Sequence, residues 1–148
     1  VPKFEQITPI LRVRDVEASI AYYTERLGFT DRWQFGEPPS FGGASRDGLE
    51  VQFCRDCQGS PGTWLSIWVD DVDALHAELA GRGADIVQAP TNFEWGVREL
   101  NVRDPDGHRI RFGWAPTGRA TASRSRTRGS GADPACRVQL SRKGRMKS

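Results

Sequence analysis

Histidine and cysteine are scarce in this chain, and their scarcity removes whole classes of chemistry. Two histidines occur, His76 on a predicted helix and His108 beside a predicted turn. No Ser-His-Asp or Cys-His arrangement can be built from histidines so placed. Glu99 is the one reasonable candidate for a general base, and it is a single carboxylate without an evident partner. Three cysteines make no disulfide framework. Cys54 and Cys57 form one C-x-x-C after a strand-like run, without the second pair or the two histidines that a zinc site requires, so free thiols are the expectation. Also missing are a run of about 18 apolar residues and a signal-peptide pattern. A soluble, cytoplasmic protein is expected.

Apolar residues are thin for the length, 37% of 148, and the deficit lies at one end. Residues 117–148 are mostly Gly, Ser, Ala and Arg, a composition that cannot bury enough apolar surface to offset ordering. The charges divide unevenly too. Of 21 basic and 19 acidic side chains, nine and one lie in 117–148, leaving 12 and 18 in residues 1–116, a net of −6. An acidic body favours a cationic small ligand over a nucleic acid. The basic end could touch nucleic acid, although a solvated tail without a role is the plainer reading.

What is present is a repeated pattern. Ile7 to Val13 alternates like a strand; Asp15 is a natural N-cap for a helix with Val16, Ile20, Tyr23 and Leu27 on one face, and Gly28 ends it. Phe29 to Phe35 reads as a strand, Phe41 to Ser45 as a weak one. Arg46-Asp47-Gly48 is a hairpin turn, and Leu49, Val51 and Phe53 alternate after it. A polar connection over 55–62 follows. Then Trp64 to Val69 is strand-like, Asp70-Asp71 opens a second helix carrying Val72, Leu75 and Leu79, and Ile86-Val87 is a short strand. A hairpin from Trp95 to Phe112 closes the unit around Asp104-Pro105-Asp106-Gly107. RVRDVEASIAYYTERLGF lies over WVDDVDALHAELAGRGAD, with Val13 on Val69 and Asp15 on Asp71. Two copies of a unit that cannot close its own sheet should pair around a shared cleft.

The LRVRDVEASIAYYTERLGF opening, the doubled β-α-β-β-β order and the closing DPDGHRIRF resemble the vicinal oxygen chelate superfamily, which includes glyoxalase I, extradiol dioxygenases and bleomycin-resistance proteins. The resemblance spans residues 7–114. It implies an α+β fold of two βαβββ modules, at about 7–55 and 63–114, forming a cleft-bearing mixed sheet. They make one domain over 1–116, with a disordered basic tail over 117–148. The superfamily's enzymes hold a metal by four ligands, whose positions fall here on Thr8, Gln52, Trp64 and Arg111. Thr8 and Gln52 are poor donors for a divalent cation, Trp64 cannot ligate, and Arg111 would place a positive charge at the metal position. No metal or other cofactor is therefore expected. The competing reading is a metal-dependent lyase or dioxygenase of the same superfamily.

Bleomycin-resistance proteins resemble the chain more closely, in Thr24-Glu25-Arg26-Leu27-Gly28-Phe29, Trp68-Val69, Trp95-Gly96 with Arg98-Glu99, and Arg103-Asp104-Pro105. That likeness implies antibiotic resistance by sequestration. In that family an acidic homodimer binds a planar cationic drug in clefts between subunits and catalyses nothing, and the resemblance implies the same here. Phe41 and Trp95 fall on aromatic positions of the drug cleft. Ser66 stands where that family has Trp, flanked by Trp64 and Trp68 on the same strand face. Pro9 matches a proline that accompanies exchange of the N-terminal strand. Glu50, Gln52, Glu99 and Arg111 should share the cleft-facing side, as polar anchors for a ligand or as a salt-bridged cluster filling the metal position. Trp64 and Trp68 are cleft rings or, alternatively, sheet core or dimer interface. Tyr22 and Tyr23 belong to the helix, Asp15 and Asp71 are caps, and His108 is a turn residue.

Overall fold

The computed structural model describes residues 1–116; the tail expected over 117–148 lies outside the described residues. The order is β1 (Ile10–Val13), α1 (Val16–Glu25), β2 (Asp31–Phe35), β3 (Phe41–Arg46), β4 (Leu49–Arg55), β5 (Trp64–Trp68), α2 (Val72–Gly81), β6 (Asp85–Asn92), β7 (Arg98–Arg103) and β8 (Arg109–Trp114). This is the expected doubled β-α-β-β-β. The strands form two four-stranded sheets, β1-β4-β3-β2 and β5-β8-β7-β6, one from each module. Each is mixed, because the first strand runs parallel to the last of its module and the other pairs are antiparallel. Among the described residues no helix is long and apolar enough to cross a membrane.

Local chemistry sets the element ends. Asp15 and Asp71, both extended, accept from the N–H of Ala18 and Ala74, and such caps are worth about 1 kcal/mol each. Asp47 and Gly48 both take positive φ between β3 and β4, the two-residue turn that suits the twist of a hairpin. Some boundaries differ from the sequence pattern. Ile7 is fully exposed, and ladder pairing starts only where Gln52 N–H meets Pro9 O, so β1 begins at Ile10. β6 is much longer than Ile86-Val87, because two register shifts let it follow β7 to Asn92. Trp95 lies in the β6–β7 connection, not at the start of a strand. Cys54 and Cys57 form a disulfide, correcting the expectation of free thiols: the turn after β4, with Asp56 at positive φ, brings the two together.

One core serves both modules. Leu11, Val13, Ile20, Tyr23, Val51 and Phe53 from the first pack with Val72, Leu79, Leu100, Val102, Ile110 and Phe112 from the second. The modules correspond by a pseudo-two-fold relation. Cap Asp15 corresponds to cap Asp71, so along the helices Ser19, Tyr22 and Tyr23 correspond to Leu75, Glu78 and Leu79. Ile10, paired with Gln52, corresponds to Ser66, paired with Arg111. Counting back along β4 and β8, Leu49 corresponds to His108, and across the hairpins Arg46 corresponds to Asp104.

At one of the two resulting junctions, α1 meets the β7–β8 turn through a closed polar network. His108, fully buried, accepts from Thr63 N–H at Nδ1 (3.0 Å), which leaves the proton on Nε2 to meet Arg12 O at 2.7 Å. The imidazole thus ties the inter-module connection to β1, and reading it as a turn residue is corrected. Its position continues the alternation of Ile110 and Phe112, which points it inward. Asp104 accepts from the N–H groups of Asp106 and His108, both at 2.9 Å, and from the Tyr23 hydroxyl at 3.0 Å. Burial raises the Asp104 carboxyl above the ordinary carboxylate range, against the pull of His108, Tyr23 and the Asp106 N–H. Burial first, and then the Asp104 charge, holds the Tyr23 phenol well above its usual value. Outside them, Arg14 pairs with Asp106 at 3.2 Å, and the Tyr22 hydroxyl donates to Arg103 O while accepting from Asp85 N–H. Burial raises the Tyr22 phenol too, partly offset by that N–H.

Candidate functional site

Strand alternation sends one face of each sheet to the core and leaves the other open. In β5, Leu65 and Ile67 pack inward while Trp64, Ser66 and Trp68 face out, as the pattern predicted. Across the second sheet, Ser66 pairs with Arg111 and Arg111 with Asn101, and in the next row Trp68 pairs with Gly113 and Gly113 with Glu99. These neighbours bond to one another. The Trp95 indole N–H donates to Glu99 Oε1 at 3.3 Å, Arg111 approaches the same oxygen at 3.9 Å, and Arg111 also reaches Ser66 Oγ at 3.4 Å. Phe93 stacks on Trp95 with centroids 4.5 Å apart and planes 14° from parallel, so one indole face is taken and the ring is held. Trp68 lies over Gly113, where a Cβ would stand 3.5 Å from the indole. Trp64 is one row away, with the Arg109 guanidinium 5.8 Å from its ring centre.

The first sheet carries a second cluster. Trp33 Nε1–H donates to Glu50 Oε1 at 2.6 Å, and Gln52 donates to the other Glu50 oxygen at 3.2 Å. Phe41 stands 5.6 Å from Trp33. The indole covers Gly43, where an added Cβ would come within 2.7 Å of Nε1; the glycine is what lets the ring lie down. Sequence reasoning missed Trp33. Its signal was the placement of a tryptophan on the strand next to the Gly42-Gly43 pair.

One expectation about this site changes. Glu50 and Gln52 were expected to share a polar set with Glu99 and Arg111, but each pair belongs to its own sheet. Among the described residues no hydrogen bond or ion pair joins them. The open faces also leave Trp33, Phe35, Trp64 and Trp68 between 38% and 73% exposed in the single chain. Asn101 is buried, donates to Gln88, and keeps its Oδ1 without a partner.

The metal positions implied by the resemblance do not suit a divalent cation. Arg111 is engaged by Glu99 and Ser66, Gln52 is turned to Glu50, and Trp64 offers no lone pair, since its indole nitrogen is a donor only. Among the described residues no group of three or more His, Cys, Asp or Glu side chains converges.

Two βαβββ modules, each with an open sheet face, define the glyoxalase/bleomycin-resistance fold, and comparison with known proteins agrees. The structure is similar to that of a bleomycin-binding protein from bleomycin-producing Streptomyces verticillus, solved with copper(II)-bleomycin: 31% identity, TM-score 0.60, covering 76% of this chain and 97% of that one. It is also similar to TioX from Micromonospora sp. ML1 (25%, TM-score 0.64, 75% and 98% covered). A bleomycin resistance determinant encoded on the transposon Tn5 shares the fold at 24% identity and TM-score 0.64, with 76% and 99% covered. No curated protein matches the chain. The family model for glyoxalase superfamily proteins matches residues 2–118, and the chain belongs to that family.

Proposed function

We propose that this protein binds and sequesters a planar, cationic small molecule of the bleomycin type, without metal and without catalysis, as a homodimer. One observation carries the reading: each open sheet face presents an indole whose N–H is fixed by a carboxylate, Trp33 on Glu50 and Trp95 on Glu99. Flat rings offer stacking surface, and the carboxylates supply the sign of charge that holds a cation. The acidic body adds a favourable field. The ligand contacts on this reading are Phe41, Glu50, Gln52, Trp64, Ser66, Trp68, Trp95, Glu99 and Arg111, to which Trp33 is added.

What one chain leaves uncovered supports the homodimer reading. The rings of both faces are half-exposed, and the arm before β1 holds Phe4 and Ile7 entirely in solvent. A second copy that lays one module's face against the other's would close two clefts and give that arm a surface to cover. Titration of the intrinsic tryptophan fluorescence with bleomycin tests the ligand. Saturable quenching, weakened in Trp95→Ala and in Trp33→Ala, is expected. An unchanged spectrum at millimolar drug overturns the bleomycin assignment.

A further inference from the structure

The second junction, where α2 meets the β3–β4 turn, is the pseudo-symmetric mate of the closed polar network, and it is open. A cavity of about 430 Å³ lies there, walled by Leu27, Phe29, Ile67, Leu75 and Phe112 and crossed at one side by Arg46 and Glu78. That volume falls within the range of small-ligand sites, about 300–1,000 Å³. Comparing the two junctions position by position shows why this one is hollow. The fully buried His108 is replaced by Leu49, which is 54% exposed and bonds nothing across the junction. Tyr22 and Tyr23 are replaced by Glu78 and Leu79, removing two phenol rings. Between the corresponding positions the turn is one residue shorter, Asp47-Gly48 in place of Pro105-Asp106-Gly107. Glu78 turns aside to grip Arg46 by two bonds of 2.7 and 2.9 Å, which lowers the Glu78 carboxyl, and Arg46 caps Leu27 O at 2.9 Å.

The rim differs as well. At the closed junction Arg14 faces Asp106 as a cation–anion pair. The corresponding residues here are Asp70 and Asp47, both lining the cavity and both acidic. Asp71, also at the rim, spends its carboxylate on the Ala74 N–H. Arg46 approaches the Asp47 carboxylate at 3.6 Å, but among the described residues no ion pair engages Asp70, so what this junction lacks, relative to its mate, is an aromatic body and a cation shared by the two rim carboxylates. We propose that the cavity is a second ligand site, sharing only Trp68 with the sheet-face contacts, for a small arylalkyl cation whose ring enters among Phe29, Leu75 and Phe112 and whose ammonium or guanidinium sits between Asp47 and Asp70. Of the sheet-face contacts only Trp68 reaches this cavity, and none of Trp33, Trp95, Glu50 or Glu99 lines it, so the assignment does not depend on the indole–carboxylate pairs of the sheet faces.

Three probes of matched shape test it on the full chain: 4-phenylbutylammonium, 4-phenylbutanol and 4-phenylbutyrate, titrated by calorimetry. The expected order is ammonium, then alcohol, then carboxylate, with the ammonium about fivefold tighter than the alcohol, the increment of two exposed charge contacts. The doubly neutralised variant Asp47→Asn/Asp70→Asn should bind ammonium and alcohol alike; asparagine suits the positive φ at position 47, so the turn survives. Ala74→Trp, on the exposed side of α2, should fill the cavity and abolish binding of all three, whereas Trp95→Ala should leave every affinity unchanged. Absence of saturable binding of the ammonium at millimolar concentration overturns the proposal, as does equal binding of the three probes. So does loss of binding in Trp95→Ala with retention in Ala74→Trp.

Discussion

Replacing His108 by alanine should be among the most damaging single changes available to this fold. The imidazole is completely buried and holds two backbone groups from distant parts of the chain, Thr63 N–H and Arg12 O. Alanine abandons both. A buried backbone group left without a partner costs about 1–3 kcal/mol, and truncating a buried ring of this size costs about 3–5 kcal/mol through lost contacts and the void left behind. The two terms overlap, so a total of roughly 4–6 kcal/mol is expected against the 5–15 kcal/mol that stabilises a typical domain. At about 4 °C per kcal/mol for a domain of this size, Tm should fall by roughly 15–25 °C. The internal control is Leu49→Ala, the same position in the other module. Leu49 is half in solvent, so its loss should cost only about 0.5–1 kcal/mol. Urea unfolding monitored by fluorescence and circular dichroism, with m unchanged, measures both. If His108→Ala costs no more than Leu49→Ala, the two junctions are not distinguished in the way described.

Tyr23→Phe should cost about 1 kcal/mol at neutral pH, since Asp104 keeps its two backbone donors. Tyr23 is raised above its ordinary 10.0, so its contribution is whole below that pH and lost as pH rises beyond it; the wild type should lose stability more steeply above pH 10 than the Phe variant, read from Tm against pH. Gly43→Ala should push the Trp33 indole off the sheet, because the new methyl meets Nε1 at 2.7 Å, and break its bond to Glu50. A red-shifted tryptophan emission with a stability loss of about 1 kcal/mol is expected, and an unaltered spectrum would contradict it. Removing residues 1–8 takes away the exposed Phe4 and Ile7 and should lower the sedimenting mass toward that of a monomer in analytical ultracentrifugation; an unchanged dimer would show that the arm is not part of the interface.

The doubled pattern, the caps at Asp15 and Asp71 and the inward face of β5 could be read directly, because each is a local signal: a carboxylate before an apolar helix face, or strict alternation along a strand. The second sheet's cluster was half legible. Glu99, Arg111 and Ser66 fall on one face by parity, but the Phe93–Trp95 stack depends on how the β6–β7 connection folds back, which no periodicity encodes. Trp33 escaped because β2 is exposed along its whole length and shows no burial contrast, and its meaning comes from Gly43 on the neighbouring strand. His108 was undervalued for the same kind of reason. Alternation put it beside Ile110 and Phe112, yet its partners Arg12 and Thr63 lie 96 and 45 residues away in sequence. The separation of Glu50 from Glu99 follows from their places on the two module sheets, a matter of how modules pack rather than of what each strand says.

The pairing of Leu49 with His108 has a consequence for how such a molecule can change over generations. Two identical half-length chains would have to carry the same residue at both junctions, so any substitution there would be felt twice. Once both halves are joined in one chain, each junction is inherited separately. One copy can keep the histidine and the long turn that hold the halves together, and the other is released to accept mutations that the first could not survive. Variation in this protein's lineage should therefore gather around Arg46, Asp47, Leu49 and Glu78, while Tyr23, Asp104 and His108 stay as they are.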